Sequence, residues 1–256
     1  MLSFLRKMLL AIFSVYVWST AFLCMTLMVL FSALLLPVFP FRKTHMWIAR
    51  PLLSLCIWCS FSRVRIIYHP DYDPKKLSLY NSNHVSALDA HLCARIIAQP
   101  YCGLIKAESL KVPIYGWIMR LSQSIPVQPR KSGRTSELVE AARDRVSQGI
   151  AIATYAEGGR TPDGKVHPFR RGVFFMARDA GIPVVPVAVR GMYRLLRKGA
   201  WLVRPSTITV YMGKQEDISH LSDDEVGEFA ERSQRLVADF VEDAKLPDGV
   251  TSPWPL

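Results

Sequence analysis

Between residues 8 and 41 the chain carries no charged side chain, and that stretch limits what the rest can fold into. As one helix, at 1.5 Å per residue, it would run to roughly 50 Å, well beyond the ~30 Å hydrocarbon core of a bilayer. Pro37 and Pro40 set an end near Leu36, because proline lacks an amide donor and disfavours helix in the residue before it. Arg6 and Lys7 precede the run as cations precede a secretory signal, but such a signal's hydrophobic region is only about 7–15 residues long. The reading is therefore a retained membrane anchor. A second apolar segment, residues 44–61, contains Arg50 and Pro51. Its uncharged portion, residues 51–62, is too short to span and is expected to lie along one leaflet, with Trp47 and Trp58 at the polar boundary.

The charge is placed accordingly. No Asp or Glu precedes Asp71, whereas Arg6, Lys7, Arg42, Lys43, Arg50, Arg63 and Arg65 do, so seven of the eleven net positive charges accompany the most apolar part of the chain. Cations flanking apolar helix suit an anionic bilayer surface, where each contributes about 1 kcal/mol. A nucleic-acid partner is the competing reading of a basic chain, and no aromatic-basic binding motif supports it. Cysteine is sparse. Cys56 and Cys59 have half the spacing of a zinc or redox site, but no second pair answers them, and they read as small packing residues.

Beyond residue 62 short β-rich runs alternate with helical ones. Residues 63–68, 77–81, 101–105, 125–128, 150–155, 184–189 and 207–212 read as strands, and residues 87–97, 134–148, 172–180 and 223–244 as helices. That alternation predicts an α/β domain over residues 63–256, its largely parallel sheet flanked by helices, behind N-terminal anchoring helices over residues 1–62. Residues 247–256 read as a loose tail.

Two constellations carry chemistry. In Asn83-His84-Val85-Ser86-Ala87-Leu88-Asp89, a histidine and an aspartate five positions apart would lie ~140° apart on a regular helix, too far round to meet easily. Ser86-x-x-Asp89 has the form of a capping box, which places Asp89 in the first helical turn and His84 in the turn before it. A carboxylate at one imidazole nitrogen fixes the tautomer, leaving the other to take a proton. The second constellation, Glu157-Gly158-Gly159-Arg160, follows a predicted strand, where open α/β sheets bind ligands. Its glycines let backbone approach closely, and its guanidinium can grip a phosphate in bidentate fashion. Taken alone, the first is equally an ordinary capped helix and the second an ordinary strand-end turn. No serine nucleophile accompanies them, so a base without its own nucleophile points to transfer onto a substrate hydroxyl.

Four blocks in order resemble the glycerolipid acyltransferase family: Asn83 to Asp89; Lys106 and Glu108 with Pro113 and Gly116; Glu157 to Arg160; and the apolar proline run of residues 182–187. The match covers roughly residues 80 to 190. Family members often carry Pro before the glutamate and Thr before the arginine, where this chain has Ala156 and Gly159. The resemblance implies His84 and Asp89 as the catalytic pair, with Lys106, Glu108, Arg130, Glu157, Gly158, Gly159 and Arg160 binding substrate. It also implies a membrane-bound O-acyltransferase that moves a fatty acyl group from acyl-CoA or acyl-carrier protein to the sn-2 hydroxyl of lysophosphatidic acid. No metal or organic cofactor is implied, and the catalytic domain would sit on the cytoplasmic face of a bacterial inner membrane. Another lysolipid acceptor, a hydrolase acting on the same pair, and a non-catalytic lipid-binding protein are the alternatives.

Overall fold

The computed structural model describes residues 2–112, 115–127 and 135–255. Helix α1 (Leu2–Leu35) occupies the uncharged run and stops before Pro37, as the missing amide requires. A short helix α2 (Phe41–Thr44) leads through a π-helical turn (His45–Ala49) into α3 (Arg50–Cys59). Pro51 explains the wide turn. It has no N–H to give the carbonyl four residues back, and the amide of Arg50 bonds instead to His45 O, five residues back. Trp47 and Trp58 stand largely exposed.

The strands follow: β1 (Arg63–Tyr68), β2 (Leu79–Ser82), β3 (Tyr101–Lys106), β4 (Ile125–Val127), β5 (Ala151–Thr154), β6 (Val184–Arg190) and β7 (Thr207–Met212). Between them lie α4 (Asp89–Ile96), α5 (Tyr115–Leu121), α6 (Thr135–Ser147), α7 (Gly172–Ala180) and α8 (Met192–Leu195), and α9 (Asp223–Asp243) closes the order. The sheet runs β1-β7-β6-β2-β5-β3-β4. Every neighbouring pair is parallel except β6 with β7, so the expected largely parallel sheet holds, with β7 and β1 reversed at one edge.

Burial on both faces explains why the strands read as near-continuous apolar runs. Leu79, Ile152, Val184 and Ala188 face a core shared with Phe174 of α7 and with Val226, Phe229 and Phe240 of α9. Tyr80, Ala151, Ala153, Val185 and Val187 face the other side, where Ile57 of α3, Leu92 of α4 and Val17 of α1 close the layer. α1 is thus fastened to the body. Its buried residues Ser14, Val17, Ala21, Cys24 and Met28 recur on one stripe, while Phe4, Leu9, Ile12, Val15, Phe22, Leu23, Leu30 and Leu34 stay exposed on the other. α1 is long and apolar enough to cross a membrane by length and composition.

Three features depart from expectation. α5 and a 3₁₀ turn at Ala107–Lys111 fill a region that shows no clear period in the sequence. α4 begins at Asp89, with Leu88 rather than Ser86 as the residue before it. The C-terminal residues are irregular but attached, since Arg65 lies 5.7 Å over the ring of Trp254 and donates to Pro255 O at 3.3 Å.

The topology places a crevice. β2 and β5 are parallel neighbours, yet the chain leaves β2 for α4, packed on one face of the sheet, and leaves β5 for α7, packed on the opposite face. Loops that diverge in this way open a cleft at the carboxyl ends of the strands. The His84 turn and the Glu157–Arg160 turn flank it.

Candidate active site

His84 and Asp89 meet without sharing a helix. A tight turn ahead of α4 brings Asp89 N to within 3.4 Å of Ser86 O, and the carboxylate folds back beneath the turn. Its Oδ2 accepts from the amides of Val85 and Ser86, both at 2.8 Å, and lies 2.7 Å from His84 Nδ1. Backbone amides can only donate, so Oδ2 serves as the acceptor and Nδ1 carries the proton. The expected capping box is therefore only half formed. The Ser86 hydroxyl accepts from Leu88 N at 3.2 Å instead of capping Asp89, because the turn closes one residue sooner than a regular N-cap would.

The other imidazole nitrogen, Nε2, has no protein partner among the described residues. His84 keeps 23% of its side-chain surface open against 6% for Asp89. The imidazole is partly open and the carboxylate sits buried behind it. Tyr155, directly after β5, stacks on the imidazole with centroids 4.0 Å apart and planes 14° apart. Its hydroxyl lies 3.3 Å from Cys93 Sγ. Burial pushes the Tyr155 phenol well above its ordinary range and the Cys93 thiol up to about 12, so both groups stay neutral and the ring acts as a fixed wall.

The second block is stitched to the first through the backbone of residue 84. Glu157 Oε1 accepts from His84 N at 2.8 Å, and Thr161 N donates to His84 O at 2.8 Å. Glu157 Oε2 takes the amide of His167 at 3.1 Å, while burial holds its carboxyl above the usual carboxylate range. Both oxygens of Glu157, which is expected to bind substrate, accept from backbone amides and tie the His84 turn to the segment that carries His167. Asn83 behaves similarly, its amide pairing with Val189 N at 2.8 Å and Val189 O at 3.0 Å. Gly158 adopts φ +76°, where a side chain is strained, and the Arg170 guanidinium would have to shift to admit a Cβ. Gly159 has no atom within 4 Å of a would-be Cβ and leaves the mouth open.

Arg160 is half-buried on the same turn, its carbonyl accepting from Lys198 Nζ at 2.9 Å. Its charge offsets part of the burial that raises Tyr115, which places it near that phenol. Lys106 ends β3 and Glu108 lies in the following 3₁₀ turn, both exposed. They reach the same edge of the sheet, since β3 borders β5, but no hydrogen bond or ion pair joins them to His84. Arg130 and Pro113 lie outside the described residues. Tyr155 escaped the sequence reading because an aromatic at the end of an apolar strand looks like one more strand residue.

Comparison with known proteins agrees with this fold. A family model described as Acyltransferase matches residues 64–190, which include both blocks. A Limnanthes alba protein named 1-acyl-sn-glycerol-3-phosphate acyltransferase is 30% identical over 53% of this chain and 49% of its own, so the chain spans about half the length of that relative. A Pseudomonas aeruginosa protein of the same name is 25% identical over 94% of this chain and 91% of its own. The crystal structure of the 1-acyl-sn-glycerophosphate (LPA) acyltransferase PlsC from Thermotoga maritima superposes with a TM-score of 0.74, covering 94% of this chain and 98% of the other at 22% identity. At that identity the likeness carries the fold.

If the Tyr155 ring positions His84, Tyr155→Phe keeps the wall and near-normal turnover. Tyr155→Leu removes an aromatic contact of about 0.5–1.5 kcal/mol and is expected to lower kcat about two- to tenfold with acceptor KM unchanged. Steady-state kinetics on both variants checks this. Equal loss in the two would assign the effect to the hydroxyl, and a change confined to KM would move Tyr155 to substrate binding.

Proposed function

From the match of residues 64–190 to the acyltransferase family model, we propose that this chain is an acyltransferase that transfers a fatty acyl group from acyl-CoA or acyl-carrier protein to the sn-2 hydroxyl of lysophosphatidic acid, giving phosphatidic acid. The observation that carries the reading is the 2.7 Å His84–Asp89 contact with Nε2 left without a partner among the described residues, on a turn bonded at both backbone groups to the Glu157–Arg160 block. In the reaction, Nε2 takes the proton of the acceptor hydroxyl as its oxygen attacks the thioester carbonyl. Asp89 stabilises the imidazolium that forms. Collapse of the tetrahedral species breaks the C–S bond, and the imidazolium returns its proton to the departing thiolate. General-base assistance of this kind is typically worth 10²–10⁴-fold.

Arg160 supplies a planar fork for the acceptor's phosphate monoester, with Lys106 a second cation at the same sheet edge. Family resemblance adds Arg130 to that phosphate site. The exposed apolar face of α1 is the part of the chain suited to lipid. Because its opposite stripe packs on the body from Ser14 to Met28, α1 holds the domain against a bilayer and brings the cleft to where long-chain substrates reside. Water-soluble acyl donors are cytosolic, so the cleft opens on the cytoplasmic side. A different lysolipid acceptor would use the same dyad and is separated by its headgroup.

Purified full-length protein assayed with a panel of lysolipids and both thioester donors is expected to prefer the phosphate monoester. His84→Ala leaves the backbone bonds of residue 84 in place and is expected to cut kcat by about 10²–10⁴-fold; near-normal transfer by the folded variant would refute the base assignment. Arg160→Lys keeps the charge but loses the fork and is expected to raise the KM for lysophosphatidic acid at least about tenfold, roughly 1.4 kcal/mol, with the donor KM little changed. A raised donor KM instead would place Arg160 on the carrier side.

A further inference from the structure

Between Asp179 and Glu216 there is no acidic residue, while Arg190, Arg194, Arg197, Lys198, Arg204 and Lys214 fall inside that interval. Four of these cations lie on or beside one small loop after α8. The loop closes on itself, with Arg204 N bonded to Leu195 O at 2.9 Å, in the manner of an Ω-loop whose own side chains pack its interior. Leu195, Leu196 and Val203 plug it into the core. Arg197, Lys198, Gly199, Trp201 and Arg204 are left exposed, with 54% of Trp201 in the open. Among the described residues, Arg194, Arg197, Lys198 and Arg204 have no carboxylate partner.

The loop is fastened in two directions. Towards α1, Trp18 Nε1 donates to Trp201 O at 2.8 Å and Ser14 Oγ accepts from Val203 N at 2.9 Å. The neighbouring α1 residues Ile12, Val15 and Phe22 are all exposed, so the apolar face of the helix runs on to the loop. Towards the cleft, Lys198 Nζ bonds to Arg160 O at 2.9 Å. An exposed tryptophan beside unpaired arginines, continuous with an apolar helix face, is the composition of a bilayer interface. There the indole sits at headgroup depth and each cation near the surface gains about 1 kcal/mol from anionic lipid.

We infer that the 195–204 loop is a second membrane-docking surface, which inserts Trp201 at the headgroup level and grips anionic lipid through Arg197 and Arg204, setting the height of the Arg160 side of the cleft above the bilayer. This rests on the membrane reading of α1 and goes beyond it by assigning a specific loop and lipid class. Acyl-carrier protein, also acidic, is the rival occupant. The apolar face beside the cations favours lipid, because a soluble acidic partner has no need of an exposed tryptophan merging into α1.

The native cysteines are all buried, so a spin label can be directed to one introduced cysteine in the full chain. Trp201→Cys leaves the carbonyl that Trp18 binds. Ile12→Cys on α1 reports the bilayer, and Glu228→Cys on α9 reports water. In vesicles of phosphatidylcholine with phosphatidylglycerol, the label at 201 is expected to shift towards high oxygen and low nickel-chelate accessibility, as at 12 and unlike 228. Adding Arg197→Gln and Arg204→Gln is expected to move it back towards its value in pure phosphatidylcholine. A label at 201 that stays nickel-accessible while 12 is embedded would overturn the inference and leave the α1 reading standing. An aqueous label at 12 would sink the membrane reading and this inference together. Depth at 201 indifferent to the arginines and to anionic lipid would overturn the headgroup assignment, and immobilisation of the 201 label by added acyl-carrier protein in detergent would assign the loop to the carrier.

Discussion

Residue 84 is held by every polar group it has except one. Its amide goes to Glu157, its carbonyl to Thr161, and its Nδ1 to Asp89, while Tyr155 covers one face of the ring. A loop histidine with free χ angles would lose side-chain entropy each time it met a substrate. Here that cost is met on folding, and the remaining nitrogen is fixed in place before any ligand arrives. The chain's two motif blocks, about seventy residues apart, thereby become one rigid corner between β2 and β5.

That corner depends on the sheet. β2 and β5 can lie side by side because their outgoing chains leave on opposite faces, and Asn81 and Asn83 replace strand hydrogen bonds at the edge. Asn81 accepts from Ala156 N at 2.9 Å, and Asn83 closes onto Val189 across β6. Buried amides so paired satisfy backbone groups that the diverging strands would otherwise orphan. Asn83 thus has a mechanical role in this fold, independent of substrate.

The sequence made the sheet legible because strands buried on both faces announce themselves as short apolar runs; the ranges expected for β1, β7 and the helix α7 match the structure. The reversal of β7 against β6 was not legible, since an apolar run is the same read in either direction. α5 and the 3₁₀ turn at Ala107–Lys111 were missed for a related reason: their contacts are with neighbouring elements, and seven residues show too little period to stand out. The pairing of His84 with Asp89 was legible from the offset of five and the turn it demands. The bonds of Glu157 to the backbone amides of His84 and His167 were not legible, because backbone amides carry no sequence signature. Tyr155 and the basic loop after α8 became meaningful only when the fold set one against His84 and the other against α1.

The central claim is that the acceptor hydroxyl attacks the thioester directly, with no acyl group passing through the protein. Three nearby side chains are engaged elsewhere: Ser86 Oγ with Leu88 N, Ser82 Oγ with Asn83 O, and the Cys93 thiol, raised to about 12, with Tyr155; Thr161 Oγ1 is buried without a partner among the described residues and is the hydroxyl to watch for an adduct. Intact-protein mass spectrometry after incubation with acyl thioester in the absence of acceptor tests this most directly. The account predicts an unchanged protein mass and no burst of free thiol. A stoichiometric acyl adduct that disappears on adding lysophosphatidic acid would contradict it.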